Sequence, residues 1–349
     1  MHNLITTLIT PACLLCAATA AFAMDPDVNR ANAISLSADH PNSFLNFAPE
    51  LPQMRARAAQ INTAFGLHVS EIEPGLFFVT DLVYQSAFAI TDDGVVVFDA
   101  PPSFGDNLRK AIALVAPDQP ITHLIMSHGH SDHNGGGYTF ADIPDLEVIS
   151  AAAVADTLAA HPLQGVLTPT RTFADTLVLN IGGLAINLQT ADFHAEDVDT
   201  LIYLPDQKFL MAIDTITPGE APFKNFGATA DISGYLANFE TFLSYDFTHF
   251  LSGHVSVLGT RDDVIKSRDY AFDVRDTVYA LMPTFNDRMM EALEAVAFEN
   301  PNLAYRYAME TIRDDCAGQI IDRWQDELSV VDLWADSHCD TIVTFAIMH

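Results

Sequence analysis

Ile121-Thr122-His123-Leu124-Ile125-Met126 runs directly into Ser127-His128-Gly129-His130-Ser131-Asp132-His133-Asn134-Gly135-Gly136. The first six residues are nearly continuous in apolar character, the pattern of a strand buried on both faces. The next ten place three imidazoles and a carboxylate on a tight loop. In extended backbone, His128 and His130 point the same way. Asp132 and His133 follow on a tightening turn and face a second point. Imidazole nitrogen and carboxylate oxygen are ligands for zinc and similar borderline ions. The glycines let the backbone wrap closely. A His-x-His-x-Asp-His run after a buried strand is a specific signature, and a solvated histidine-rich loop accounts for it poorly.

Outward from this stretch the chain alternates between strand and helix patterns. Short β-rich runs span 75–80, 86–91 and 94–99, with Asp92-Asp93-Gly94 as a turn between the last two. A helix is expected over 105–115. Further strands are expected over 147–150, 176–179, 184–190, 200–204, 209–213 and 249–252, with a helix over 231–245. Together these predict an α/β protein with two sheets and outer helices. Residues 24–65 form an N-terminal arm with one short helix near 54–64. Beyond residue 259, apolar residues at Tyr270, Val274, Val278 and Leu281, and again at Tyr305, Met309, Ile312 and Cys316, follow helical spacing. Pro283 and Pro301 divide this region into separate helices.

The histidine loop resembles that of the metallo-β-lactamase superfamily, and the resemblance extends over roughly residues 66–258. It implies a four-layer αβ/βα fold, here with a helical C-terminal extension over 259–349. It also implies further ligands after later strands, and the sequence has them in order: His194 in Asp192-Phe193-His194, Asp214 after the 209–213 run, and His254 in Ser252-Gly253-His254. By this resemblance His128, His130 and His194 hold one metal. Asp132, His133 and His254 hold a second, and Asp214 bridges them. Asp99 matches a family position that supports the metal loop without binding metal. Zinc is the default for so nitrogen-rich a set, with Mn2+ and Fe2+ as alternatives. His68, His123, His161 and His249 lack ligand spacing and are expected to be structural.

Such a pair of ions ionises water near neutral pH and polarises a carbonyl, which implies a dinuclear metal-dependent hydrolase. Asp132 is the expected catalytic residue, orienting water and carrying a proton to the leaving group. No G-x-S-x-G elbow, P-loop or dinucleotide fingerprint competes with this reading. The resemblance is closest to lactonase and glyoxalase II-type members, which share a bridging Asp where the β-lactamases usually carry Cys or Ser. The favoured substrate is therefore a lactone or carboxylic ester, with a β-lactam as the runner-up. A metal-binding protein without catalysis is the remaining alternative. Phe193, Phe223 and Phe226 flank the ligand loops, either as an apolar wall for an acyl chain or as core.

The charge narrows the partners. The chain carries 46 acidic and 16 basic residues, a net of -30. That surface repels phosphate backbones and anionic lipid, so a small-molecule substrate is expected and nucleic acid is not. Residues 4–20 are apolar and precede Ala21-Phe22-Ala23, the pattern of a signal peptide cleaved after residue 23. Its departure from the pattern is a start, Met1-His2-Asn3, without Lys or Arg. The expectation is a periplasmic or secreted enzyme with no stable membrane insertion after cleavage. Export also disfavours the mainly cytosolic thioester of glyoxalase II. Cys316 and Cys339 remain in the mature chain, either paired in an oxidising compartment or as two buried thiols.

Overall fold

The computed structural model describes residues 47–296 and 298–349; the expected signal segment and the first part of the N-terminal arm lie outside them. The first sheet contains β1 (His68–Glu73), β2 (Leu76–Thr80), β3 (Gln85–Thr91), β4 (Gly94–Phe98), β5 (Ile121–Ile125), β6 (Glu147–Ala151) and β7 (Arg171–Phe173), paired in that order. β1 to β4 are antiparallel and β4 to β7 parallel. The second contains β8 (Thr176–Ile181), β9 (Leu184–Ala191), β10 (Asp199–Leu204), β11 (Phe209–Met211) and β12 (His249–Leu251), in the order β12-β11-β10-β9-β8. Only its β11–β12 pair is parallel.

Alternation along β4 shows why these strands read as continuous apolar runs. Val96 and Phe98 point inward and pack with Ile202, Leu204, Phe209 and Met211 of the other sheet. Val95 and Val97 point outward and pack with Leu108, Ala111 and Ile112 of α2 (Asn107–Val115). All four are fully buried, each contributing roughly 1.5–3 kcal/mol of transfer free energy. A single charge here, as in Val97→Asp, would lie in the core without a partner.

The outer face of the second sheet is covered by α6 (Ile232–Ser244), α7 (Arg261–Leu281), α9 (Pro301–Trp324) and α10 (Val331–Met348). Two sheets between helical layers give the four-layer αβ/βα architecture, and the C-terminal helices belong to its outermost layer. Pro283 lies in a 3-10 turn, Met282–Thr284, between α7 and α8 (Phe285–Ala295), and Pro301 opens α9 at its first turn, where a missing N–H costs nothing. Thr260 and Asp263 form a reciprocal capping box at the start of α7, and Arg57 forks onto Asp263 at 2.7 and 2.6 Å. Among the described residues no helix is long and apolar enough to cross a membrane.

Four differences from the sequence reading have local causes. The helix near 54–64 is only α1 (Pro52–Arg57), because Ala58 turns extended and the Ala59 N–H is taken by the Ser256 carbonyl at 2.9 Å. β1 and β7 were not expected; His68–Glu73 is only half-buried and Arg171–Phe173 is short and mostly exposed, so neither shows a clear apolar pattern. α4 (Ala152–Ala160) is alanine-rich with only Val154 and Leu158 buried, a weak amphipathic signal.

Cys316 of α9 and Cys339 of α10 form a disulfide across a sequence separation of 23 residues. Closing a loop of this length in the unfolded chain is worth about 3 kcal/mol. Replacing both cysteines with alanine should lower stability by that order, read as a drop in the urea midpoint under oxidising conditions, and dithiothreitol should then have little further effect.

Candidate metal centre

Strand register brings distant residues to one place. In the parallel pair β11–β12, Met211 lies opposite Leu251. Asp214 and His254 each follow three residues later and therefore emerge side by side. In the parallel pair β4–β5, Phe98 lies opposite Ile125, so Asp99 and the His128 loop leave the same edge. In the antiparallel pair β9–β10, Ala191 lies opposite Asp199, which sets His194 beside Asp199. A short helical turn, α3 (Ser131–Asn134), carries Asp132 and His133, with His130 as its N-terminal boundary. All seven expected ligands thus meet at the carboxyl ends of β5, β9, β11 and β12.

They form two sets. Donor atoms of His128, His130, His194 and Asp214 lie within 4.8 Å of one another, as do those of Asp132, His133 and His254. Asp214 divides its oxygens between them. Its Oδ2 is 3.4 Å from His128 Nε2 and 3.6 Å from His194 Nε2, while its Oδ1 is 3.0 Å from both His133 Nε2 and His254 Nε2. Asp132 Oδ2 adds a second carboxylate 3.6 Å from His133 Nε2 and 3.9 Å from His254 Nε2. His128 Nε2 is buried without a hydrogen-bond partner and faces Asp214, a lone pair that a cation would satisfy. Burial pushes the His128 imidazole well below its ordinary pKa, leaving it neutral and able to ligate. Asp214 is also buried, but His133, His254 and His128 outweigh the desolvation and hold it well below the usual carboxylate range. The donor set fits two cations bridged by one carboxylate.

A surrounding layer fixes these ligands. Buried Asp99 accepts hydrogen bonds from Ser127 N at 2.7 Å, Ser127 Oγ at 2.6 Å and Asn134 Nδ2 at 2.8 Å. It belongs to neither ligand set and holds the loop, as the resemblance implied. Desolvation raises it to about 6, against the pull of His133 and these donors. Asp199 accepts from His194 N and lies 2.7 Å from His194 Nδ1, which leaves Nε2 for the metal side. Gln85 Oε1 accepts from Ser252 N and Gly253 N, while its Nε2 donates to the Val255 and Val257 carbonyls, which braces the His254 loop. Asp199 and Gln85 were not among the expected site residues. An acid opening the strand after His194 was a usable signal for the first; nothing local marked the second. At Gly253, φ is +92° and a Cβ would lie 2.9 Å from His133 Cε1. At Gly136, a Cβ would lie 2.6 Å from the Ala100 carbonyl oxygen. Neither position accepts a side chain.

The remaining histidines make structural contacts: His68 with Gln60 and Ser70, His123 with Glu147 and His249 with Glu73, while His161 follows the end of α4. His338, which the sequence reading did not single out, lies fully buried on α10.

The centre opens into a cavity of about 440 Å³. His130, Asp132, His194, Asp214 and His254 form its floor; Tyr84, Ile216, Phe223, Val255 and Trp334 supply much of its wall. Of the three phenylalanines near the ligand loops, Phe223 is 56% exposed and lines the cavity, whereas Phe193 and Phe226 are core. Glu220 is the wall's carboxylate, and burial together with Glu50 pushes it up to about 7.

A model of the metallo-beta-lactamase superfamily matches residues 80–268. The chain belongs to the metallo-beta-lactamase superfamily. Its fold is similar to a metallo-beta-lactamase from Pontibacter korlensis, with 22% identity, a TM-score of 0.50, and 58% of this chain and 97% of that one covered. It is also similar to a mutant sec-alkyl sulfatase, with 16% identity, a TM-score of 0.52, and 65% of this chain and 45% of that one covered. The alpha subunit of a 2,4-dinitroanisole O-demethylase from a Nocardioides species is 27% identical over 187 residues, which is 53% of this chain. The chain spans about half the length of that relative, 56% of it. The two donor clusters of this superfamily member are consistent with a dinuclear metal site.

Two outcomes follow. Asp214→Ala should reduce bound metal below the wild-type stoichiometry, since it removes the carboxylate common to both sets, as read by elemental analysis of the purified variant. Glu220 has a raised folded pKa, so its ionisation weakens the fold as pH rises from about 4.5 through 7. Glu220→Gln should therefore raise the unfolding temperature at pH 8.5 and change it little at pH 4. The gain is capped at about 3 kcal/mol and reduced by solvent screening.

Proposed function

We propose that this protein is an exported dinuclear hydrolase of lactones or carboxylic esters. The carrying observation is that Asp214 divides its two oxygens between nitrogen-rich ligand sets at the floor of a largely apolar cavity. His128, His130 and His194 would hold one ion, Asp132, His133 and His254 the other, with Asp214 between them. Zinc suits a set without thiolates, with manganese or iron as alternatives. When bound, the two ions supply Lewis acidity and water ionised near neutral pH.

The chain's own residues supply orientation and proton transfer. Asp132 is half-buried beside His133 and His254 and reaches the cavity. Its carboxylate orients the attacking water, takes up a proton and passes it to the leaving oxygen. The apolar wall strips water from the acyl group. Export is supported by the Ala21-Phe22-Ala23 pattern and by the disulfide between α9 and α10, a bond typical of oxidising compartments.

Turnover of lactones, carboxylic esters, penicillins and carbapenems by zinc-, manganese- and iron-loaded protein tests the reaction, and 2,4-dinitroanisole belongs in the panel because of the O-demethylase relative. Lactones or esters should give the highest kcat/KM. A β-lactam far ahead of every ester would instead establish the runner-up. Metal uptake without turnover of any of them would leave a metal-binding protein. Asp132→Asn should lower kcat by at least about 10²-fold, measured with metal content in parallel. N-terminal sequencing of the exported form should begin near Met24; an intact Met1 on cytoplasmic protein would refute export.

A further inference from the structure

The cavity wall away from the metal floor comes largely from the connection after β11 and from α10. Within α5 (Lys224–Ala228), residues 225–228 form a left-handed turn, with φ of 55°, 54°, 75° and 64° at Asn225, Phe226, Gly227 and Ala228. Three of these are not glycine, so the backbone is strained and must be held from outside. α10 holds it. Asn225 N donates to Ser337 Oγ at 3.1 Å, and His338 Nε2 donates to the Phe223 carbonyl at 3.2 Å. Tyr270 OH lies 2.8 Å from His338 Nδ1 and donates to it, since Nε2 carries the proton toward the carbonyl. The Phe226 ring stacks on His338 with centroids 4.3 Å apart. Held this way, Phe223 meets Trp334 of α10 edge to face at 5.0 Å. The two rings form an aromatic corner above the ligand floor.

The electrostatics of this corner are one-sided. Among the described residues no Lys or Arg lines the cavity, although Lys224 follows Phe223 in sequence. The wall holds Glu220, half-buried, and among the described residues no cation pairs with it. The other titratable groups lining the cavity are Tyr84 and the floor ligands, and Glu50 adds further negative charge near Glu220. A substrate anion projecting from the metals toward this wall would meet a carboxylate and no counter-charge. A neutral ring would meet Phe223 and Trp334.

Building on the hydrolase reading above, we propose that α10 makes this cavity selective for substrates that bear an aromatic group, and no negative charge, near the scissile carbonyl, with Phe223 and Trp334 seating the ring and Glu220 rejecting anions. Glu220 and Trp334 are specificity-determining residues. The excluded class includes substrates with a carboxylate or sulfate on the part of the molecule that faces this wall.

Two measurements at pH 8.5, where Glu220 is ionised, test this. The first needs no turnover: calorimetric dissociation constants of phenylacetamide and 4-carboxyphenylacetamide on the metal-loaded protein. The neutral amide should bind about tenfold more tightly, the scale of one close like-charge contact in a half-solvated site. Glu220→Gln should reduce that ratio below about threefold, and Glu220→Asp should keep most of it. The second compares KM for ethyl phenylacetate and ethyl acetate. Trp334→Ala should raise the ratio of the first to the second about tenfold. Equal binding of the two amides by the wild type, or an unchanged ratio in Glu220→Gln, would overturn the charge selection. An unchanged KM ratio in Trp334→Ala would overturn the aromatic seat. Charge discrimination in binding without hydrolysis of any ester would refute the hydrolase reading and leave the charge selection standing.

Discussion

The centre depends on one carboxylate placed between four imidazoles. Asp214 is buried and would be expected to resist ionisation, yet its oxygens face His128 and His194 on one side and His133 and His254 on the other. This arrangement is possible only if strands from distant parts of the chain end at the same height. The parallel pairing of β11 with β12 sets Asp214 beside His254, and the parallel pairing of β4 with β5 sets Asp99 beneath the histidine loop. The interior apolar alternation of the two sheets therefore does more than stabilise the fold. A one-residue slip in any of these strands would turn its terminal ligand away from the centre.

The fold class and the seven residues that meet at the centre were legible in the sequence because both are encoded locally. A buried strand announces itself in four to six residues, and a ligand loop carries its residue types within a few positions of that strand's end. The resemblance then supplied the order in which His194, Asp214 and His254 follow. What could not be read depends on contacts between distant segments. Gln85 braces residues 252–257 through bonds that cross more than 160 positions. Helical spacing in the C-terminal region was visible, but not that Ser337 and His338 would hold the turn after Phe223, more than 100 residues earlier. The two weakly patterned strands, β1 and β7, are the ones with incomplete burial.

The floor and the wall of the cavity are built by different physical means. The floor is braced by buried partners, Asp99 for the histidine loop and Asp199 for His194. The wall is rigid because a strained backbone turn is fastened to a helix. Burial pushes His338 down to about 4 and keeps it neutral, so Nδ1 stays free to accept from Tyr270 while Nε2–H reaches the Phe223 carbonyl. The disulfide at the neighbouring Cys339 ties the same helix to α9. Chemistry and selection are thus supported by separate networks.

That separation bears on how such a cavity can change over evolutionary time. The turn over residues 223–228 is shaped by main-chain bonds and by the buried Phe226, while Phe223 and Ala228 project outward. The outward side chains are not needed to maintain the backbone path, so they can be exchanged at small cost to folding. New preferences for the group beside the carbonyl can therefore arise by substitution at these two positions while the seven ligands stay fixed, making the turn a place where mutational drift becomes functional variety.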